Sequence, residues 1–268
     1  MKVAAIQMVS GISLDHNLNE ALRLLRQAAQ AGAELAVLPE YFCFMGQQDT
    51  DKLLLAETSG LGRVQDFLED VARDLKLWIV GGTLPMATED PSPVANASLA
   101  YTPEGQCASR YDKIHLFRFD NGRERYDESA VLRAGDTPTA FELHDRSGQA
   151  WRIGQSICYD LRFAELYRAL AADVLLVPSA FTHTTGQAHW EVLLRARAIE
   201  NQAYVIASAQ GGVHENGRRT WGHSMVIDPW GEVMGLQAEG SGVVLVEIDH
   251  ARLASVREQL PSLQHRRL

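Results

Sequence analysis

Short apolar runs alternate along the chain with segments in which apolar residues recur at helical spacing. Most of the runs are nearly continuous in apolar residues, which is typical of strands that are covered on both faces. They predict strands at residues 3–7, 35–39, 77–81, 97–101, 152–157, 174–178, 204–209, 224–227 and 243–248. A chain in which strands and helices alternate in this way is expected to have an α/β fold.

The clearest helical pattern covers residues 18–31. Leu18, Ala21 and Leu25 fall on one face of such a helix, and Gly32 stands where the end of a helix favours glycine. Further helices are predicted at residues 62–75, 162–171 and 188–202.

Turn-forming residues at 103–105 and 228–231 indicate hairpins between later strands, so we expect a mixed sheet or sheets. No segment rich in proline, glycine or serine divides the chain. We therefore expect residues 1–268 to form a single domain.

Composition excludes several classes of protein. The chain has 268 residues, 46% of them apolar, and a formal net charge of −9, which disfavours nucleic acid and anionic membranes as partners. Its apolar runs are far shorter than the roughly 20 residues that span a bilayer. The N-terminus turns polar directly after its first predicted strand, unlike a signal peptide. Three widely spaced cysteines do not suggest a disulfide framework, and we expect a cytoplasmic protein.

Three places in the sequence carry charged or nucleophilic residues that the packing of an apolar core does not require. Glu40 follows a predicted strand, Lys113 lies among apolar and aromatic residues, and Cys158 lies between a predicted strand and a helix. Ligands of α/β proteins bind beyond the carboxyl ends of strands, where Glu40 and Cys158 are expected. Each residue also has a purely structural interpretation. Glu40 could be a carboxylate at a helix start, Lys113 a solvated lysine on a strand edge, and Cys158 a small buried thiol.

Other residues offer alternative chemistry. Cys43 lies in a loop close to Glu40 and competes weakly as the nucleophile, whereas Cys107 looks like a strand residue. No Cys-x-x-Cys pair supports a thiol redox function. His183 and His189 lack the i, i+4 spacing of zinc enzymes, so we interpret them as pocket-wall or structural residues and expect no metal.

Three motifs make the sequence resemble the carbon–nitrogen hydrolase (nitrilase) superfamily. Glu40 in Leu-Pro-Glu-Tyr-Phe, Lys113 in Tyr-Asp-Lys-Ile-His-Leu-Phe and Cys158 in Ile-Cys-Tyr-Asp-Leu-Arg-Phe match its motifs in the family's order. Stretches that look like the Nit branch of the superfamily are residues 178–182, 185–200, 221–231 and 260–267. The resemblance implies a four-layer α-β-β-α sandwich that pairs with a second subunit, as a homodimer or higher homo-oligomer.

The resemblance also implies a mechanism without cofactor. Cys158 attacks an amide carbon while Glu40 takes the thiol proton. Lys113 and the backbone N–H of Tyr159 stabilise the oxyanion, and water hydrolyses the thioester that forms. Glu128 matches a second, supporting glutamate of the superfamily, although it could also be a solvated loop carboxylate. Burial raises the pKa of the Cys158 thiol and the charge of Lys113 lowers it, and the sequence does not decide which effect is larger.

The implied reaction converts an amide and water into a carboxylate and ammonia, with deaminated glutathione as the expected substrate. α-Ketoglutaramate, a nitrile and an N-carbamoyl compound are alternative substrates, and a non-catalytic scaffold is a distant alternative. We expect Arg162, with the arginines of residues 118–125, to bind a substrate carboxylate, and Phe181 and Thr182 to line the pocket. The arginines of residues 118–125 could instead form an exposed loop in which they pair with neighbouring carboxylates.

Overall fold

A computed structural model describes residues 1–89 and 93–267. The helices are α1 (Leu14–Gln30), α2 (Arg63–Leu75), α3 (Ala164–Leu170), α4 (His183–Asn201) and α5 (His250–Gln259). The strands are β1 (Lys2–Gln7), β2 (Leu35–Val37), β3 (Trp78–Val80), β4 (Leu84–Met86), β5 (Val94–Tyr101), β6 (Cys107–Asp112), β7 (Arg118–Asp120), β8 (Arg125–Asp127), β9 (Leu132–Arg133), β10 (Ala140–His144), β11 (Ala150–Gln155), β12 (Val174–Leu176), β13 (Tyr204–Ala207), β14 (Gly211–Val213), β15 (Arg219–Trp221), β16 (Ser224–Ile227), β17 (Val233–Gln237) and β18 (Gly242–Glu247). Short 3-10 helices cover Asp49–Leu55, Glu128–Ala130 and Cys158–Arg162.

Most of the strands belong to two mixed sheets. The first has the order β18-β1-β2-β3-β5-β4, with β6 and β9 also paired to β5, and the second has the order β10-β11-β12-β13-β16-β17. Each sheet contains three neighbouring parallel strands, β1-β2-β3 in the first and β11-β12-β13 in the second. Carboxyl ends of parallel strands lie at one edge of a sheet, so the loops after β2, β11 and β12 are placed where ligands bind in such folds.

Alternate side chains of the central strands enter different apolar layers. In β1, Ala4 and Ile6 belong to a core formed with α1 and α2, whereas Val3 and Ala5 belong to the core between the two sheets. A third core lies between the second sheet and helices α3 and α4. These three cores separate four layers, which confirms the predicted α-β-β-α sandwich.

The predicted strands at residues 35–39, 152–157 and 174–178 each end two residues too late. The strands themselves stop at Val37, Gln155 and Leu176, after which the chain turns while remaining buried. The apolar run continues through such a turn, because hydrophobicity reports burial and not backbone conformation. These turns carry the residues of the candidate site.

Helix boundaries also differ from those predicted. Helix α1 begins four residues earlier, at Leu14, because the Ser13 side chain accepts a hydrogen bond from the backbone N–H of His16 and caps a polar first turn. Helix α4 begins at His183, before the predicted start at residue 188. Helix α5 was not predicted, since few of its residues are buried. In the described part of the chain, no helix is both long and apolar enough to cross a membrane.

Candidate active site

Three segments that leave strands bring Glu40, Lys113 and Cys158 together. Lys113 directly follows β6, and its Nζ donates a hydrogen bond of 2.9 Å to Oε1 of Glu40, a residue 73 positions away. The side chains of Lys113 and Glu40 are 0% and 1% exposed, which excludes the interpretation of Lys113 as a solvated lysine. Glu40 and Cys158 line the same narrow pocket, which we call the catalytic pocket.

Glu128 is the second carboxylate on Lys113. Its Oε2 lies 2.8 Å from Nζ of Lys113, and the side chain is 13% exposed. The hydroxyl of Tyr41 donates to Glu128 at 3.1 Å, and the backbone N–H of Phe117 donates at 2.7 Å. Glu128 is therefore not a solvated loop carboxylate. Together with Glu40 it forms ion pairs with the ammonium of Lys113.

Both carboxylate oxygens of Glu40 accept hydrogen bonds from fixed donors. The side-chain amide of Asn96, on β5, donates to Oε1 at 3.0 Å, and the backbone N–H of Ala180 donates to Oε2 at 2.8 Å. The Gln210 side chain also donates to the backbone carbonyl of Glu40. The carboxylate is thus held in one orientation by a strand of the first sheet and by the segment that follows β12 of the second. Asn96 was not predicted, although a polar residue within an apolar strand was a signal for it.

Cys158 occupies a strained backbone position at the start of a 3-10 helix. Its φ is +49°, in the left-handed region that residues other than glycine rarely adopt. Its backbone N–H donates to the carbonyl of Pro178 at 3.0 Å, which ties the turn to the end of β12. Such strain persists only where the surrounding structure holds it, and it is common at functional sites.

Asp160 fixes the turn that carries Cys158 to the segment that carries Lys113. Its Oδ2 accepts from the backbone N–H of Ile157 at 2.8 Å and from the hydroxyl of Tyr111 at 2.7 Å. Its Oδ1 accepts from the backbone N–H of His115 at 3.0 Å. Asp160 was not predicted as a site residue, although it lies within the cysteine motif.

The charges of the site are set by burial and by Lys113. Burial, followed by the negative charge of Glu40, raises the pKa of the Cys158 thiol well above its usual value, and the opposing effect of Lys113 is smaller. Burial alone would lower the pKa of Lys113, but the charges of Glu128 and Glu40 outweigh it and raise that pKa. Burial likewise opposes ionisation of Glu128, yet Lys113 keeps its pKa below the usual value. The resting site therefore holds a neutral thiol beside a charged ammonium.

Comparisons with known proteins show the family to which the chain belongs. The sequence profile described as carbon-nitrogen hydrolase matches residues 2–258. The chain belongs to the carbon–nitrogen hydrolase family. It is 45% identical over 268 residues to a deaminated glutathione amidase of Synechocystis sp., covering 98% of this chain and 97% of that protein. It is 35% identical over 270 residues to an omega-amidase of Xenopus tropicalis, with 99% and 95% covered.

The structure of this carbon–nitrogen hydrolase resembles the crystal structure of the Caenorhabditis elegans NitFhit protein. The TM-score is 0.90 and the sequence identity is 37%, and the match covers 99% of this chain and 65% of that one. The carbon–nitrogen hydrolase therefore spans just under two thirds of the length of that protein. The family match and the amidase names of the relatives confirm the predicted family and the predicted enzyme class.

The catalytic pocket of this hydrolase contains several of the predicted residues. Tyr159, Phe181 and Thr182 line it together with Glu40 and Cys158. Its wall also contains Glu128, which was predicted as a supporting residue. Residues of the wall that were not predicted are Phe117, Ala180, Thr185 and Arg218. The space within it, about 10 Å³, is close to that of one water molecule. The catalytic pocket therefore has little free space beside the Cys158 thiol.

Arg162 lies behind the wall of the catalytic pocket. Its guanidinium lies 5.8 Å from the ring centre of Tyr159 and 5.5 Å from that of Phe181, and both terminal nitrogens contact Nδ1 of His189 at 3.3 Å. Arg162 therefore supports two pocket residues from outside the described lining.

The three arginines of residues 118–125 are exposed on the hairpin of β7 and β8. Arg118 lies 3.9 Å from Asp127, the kind of pairing that the alternative interpretation predicted. The hairpin is tied to α4 by a hydrogen bond from Thr184 to Glu124. None of these arginines belongs to the described lining of the catalytic pocket.

The other two cysteines lie apart from the catalytic pocket. Cys43 is buried in the core beneath the first sheet, and burial raises the pKa of its thiol to about 12. Cys107 is exposed on β6. Among residues 1–89 and 93–267, no group of three or more histidine, cysteine, aspartate or glutamate side chains is arranged to hold a metal ion.

Proposed function

We propose that this protein is an amidase that cleaves the ω-amide bond of a 2-oxo acid, with deaminated glutathione as its preferred substrate. One observation carries the proposal: a fully buried lysine bridges two carboxylates beside a cysteine that lines a pocket. The names of the Synechocystis and Xenopus relatives support the substrate class. A binding scaffold would have no need for a buried cation and two carboxylates beside a thiol.

The first step is attack of the Cys158 sulfur on the amide carbon. The C=O electron pair moves onto oxygen, and Glu40 takes the thiol proton as the new C–S bond forms. Because the pKa of the thiol is raised, the proton has to leave during the attack rather than before it. The transfer moves one negative charge from Glu40 to the substrate, so the total charge of the buried site does not change. Lys113 remains beside that charge throughout.

The oxyanion then collapses and the C–N bond breaks. Lys113 and the backbone N–H of Tyr159 stabilise the oxyanion, and Glu40 gives its proton to the departing nitrogen. The leaving group is ammonia only for a primary amide such as α-ketoglutaramate. Deaminated glutathione has a substituted amide, so its leaving group is cysteinylglycine. The ammonia expected from the sequence is therefore wrong for this substrate. A thioester remains on Cys158.

Water completes the reaction. Glu40 takes a proton from water as its oxygen attacks the thioester carbon, and the proton returns to sulfur when the C–S bond breaks. Lys113 acts as a fixed positive charge and not as a proton donor, because Glu128 and Glu40 raise its pKa. Glu128 serves as a positioning residue that holds Lys113.

The test compares the wild type with Cys158→Ala on deaminated glutathione, α-ketoglutaramate and a simple nitrile. We expect the wild type to release cysteinylglycine and 2-oxoglutarate, and Cys158→Ala to lose at least about a thousandfold in rate. Cys107→Ala, which removes an exposed thiol, should retain full activity. Preference for α-ketoglutaramate would make the protein an ω-amidase, and absence of hydrolysis of all three compounds would overturn the amidase proposal.

We also propose that residues 1–268 act as one domain in the cytoplasm, where the nucleophilic thiol stays reduced. The proposed assembly is a homodimer or a higher homo-oligomer. Val192 and Ile199 lie seven residues apart on α4, so they share a face, and both are exposed. The exposed Trp230 lies beside them, because Arg195 of the same helix donates a hydrogen bond to the carbonyl of Gly231. An exposed apolar patch of this kind favours association.

A further inference from the structure

A second space, which we call the outer cavity, adjoins the catalytic pocket. Its volume is about 460 Å³, and its wall includes Tyr41, Asp49, Lys52, Tyr126 and Arg218. Arg218 also belongs to the wall of the catalytic pocket, so the two spaces meet at its side chain. The outer cavity has the size of a site for a small molecule.

Arg218 presents a partly buried cation that has no ion-pair partner among the described residues. Its Nε is buried and has no hydrogen-bond partner. One terminal nitrogen donates to the carbonyl of Ala180 at 3.2 Å, the other makes only a 4.0 Å contact with the sulfur of Met45, and the guanidinium lies 5.3 Å from the ring centre of Tyr126. No described carboxylate forms an ion pair with it. Leaving a buried charge unpaired is unfavourable, so an anion in this space would be stabilised.

Lys52 supplies a second cation on the same wall. Its side chain is 12% exposed, and its Nζ lies 4.5 Å from the ring centre of Tyr41 and 3.5 Å from the Tyr41 hydroxyl. Asp49 lies 3.6 Å away, but that carboxylate is mostly exposed to water. Two cations thus face the outer cavity against one hydrated carboxylate, which favours an anionic ligand.

The position of Glu40 shows which part of a substrate would reach this cavity. Glu40 protonates the departing nitrogen, so the leaving group lies on its side of the amide. The Oε2 of Glu40 accepts from the N–H of Ala180, and Arg218 donates to the carbonyl of the same residue. A leaving group that extends past Ala180 therefore arrives at Arg218. Since the catalytic pocket has little free space, most of a long substrate has to lie outside it.

We propose that the outer cavity binds a carboxylate on the leaving-group side of the substrate, with Arg218 and Lys52 as its partners. The inference rests on the amidase function proposed above and makes it more specific. Deaminated glutathione carries such a carboxylate at its glycine end, and α-ketoglutaramate does not. Arg218 and Lys52 then determine the preference between these two substrates.

The test uses deaminated glutathione and its C-terminal carboxamide, which differ only in this charge. We expect the wild type to favour the carboxylate form by about tenfold or more in kcat/KM, as a hydrogen bond to a charged group provides. This ratio should fall close to one in Arg218→Gln. The matched control is Arg219→Gln, because Arg219 is the exposed neighbour on β15 and its loss should leave the ratio unchanged. A wild-type ratio near one, or a ratio that survives Arg218→Gln, would overturn the proposal.

A binding measurement separates this inference from the amidase proposal. Calorimetry with Cys158→Ala compares the affinities of the carboxylate and carboxamide compounds without turnover. If the wild type hydrolyses neither compound but the carboxylate binds more tightly, the amidase proposal fails and the anion site stands, provided that adding Arg218→Gln removes the difference. Equal affinities would exclude the anion site whatever the activity. If Arg218→Gln does not fold, Lys52→Met should reduce the same ratio, and an unchanged ratio would refute the inference.

Discussion

Replacing Lys113 with methionine would leave two carboxylates in the site without their shared cation. The chain keeps a side chain of similar length, but Glu40 and Glu128 lose the ammonium that contacts both of them. Their Oε1 atoms each lie 2.9 Å from Nζ, so these two oxygens are at most twice that distance apart. We expect the variant to be less stable and inactive, because unpaired carboxylates in a buried site repel each other and cannot be hydrated fully.

The size of the effect follows from burial and distance. At an effective dielectric constant of about 20, each Lys113 pair has a gross Coulomb energy of about 6 kcal/mol, most of which compensates for lost hydration. Removal of one partner from a buried ion pair typically lowers the free energy of unfolding by about 3–5 kcal/mol. For a chain of this length, that loss corresponds to a decrease in Tm of about 5–9 °C.

Chemical denaturation at pH 7.5 and at pH 5 provides the assay. Unpaired carboxylates bind protons more readily in the folded variant than in the unfolded chain, so the loss of stability should be largest at pH 7.5 and smaller at pH 5. The double variant Lys113→Met/Glu128→Gln should recover part of the loss, because one of the two charges is then absent. Lys76→Met, at an exposed lysine, should change the free energy of unfolding by less than about 0.5 kcal/mol. A loss below about 1 kcal/mol that is equal at both pH values would refute this reasoning.

Three further predictions concern acid stability, thiol reactivity and assembly. Burial raises the pKa of Glu128, but the opposing effect of Lys113 lowers it below its usual value, so this carboxylate stabilises the fold above its unfolded pKa of about 4.3 and ceases to do so as the pH falls through its folded pKa. In an acid titration, the free energy of unfolding of Glu128→Gln should therefore decrease less steeply than that of the wild type. Identical profiles would contradict the assignment. Because the pKa of Cys158 is raised, iodoacetamide should alkylate it slowly at pH 7, and the rate should increase about tenfold per pH unit. Mass spectrometry of the Cys107→Ala variant measures this rate, and a rate that does not change with pH would indicate a resting thiolate. Val192→Glu should convert the proposed oligomer into a monomer in light scattering, and an unchanged oligomeric mass would place the interface elsewhere.

The strands that the sequence predicted are those whose burial makes them apolar. β1, β12 and β13 are buried along nearly their whole length, and each was recognised from its apolar run. Cys107 looked like a strand residue, but the bounds of β6 were not predicted, because most of its residues are polar and partly exposed; this strand carries the chain to Lys113. The short hairpin strands β7 and β8 were missed for the same reason. Their hydrogen bonds depend on pairing with a neighbour, which a single segment does not reveal.

The motifs identified Glu40, Lys113 and Cys158, but not how the protein holds them. Asn96, on β5, and Ala180, in the segment after β12, orient the carboxylate of Glu40, and no local pattern links them to it. The sequence also did not decide whether burial or the charge of Lys113 has the larger effect on the pKa of the Cys158 thiol. The structure resolves it in favour of burial, because the depth at which a side chain is enclosed is a property of the tertiary fold.

The sequence also does not reveal which arginines are suited to bind an anion, because their burial depends on the tertiary fold. The arginines of residues 118–125 stand close together in the sequence, but they lie on an exposed hairpin, where water already solvates their charges. Arg218 stands in a polar turn beside an equally charged neighbour and looks like a solvated residue. Contacts with Met45 and Ala180, 173 and 38 positions away, enclose its guanidinium. A charge binds an anion more strongly when it keeps less water, so we expect the partly buried Arg218 to be a stronger anion ligand than the exposed arginines of the hairpin.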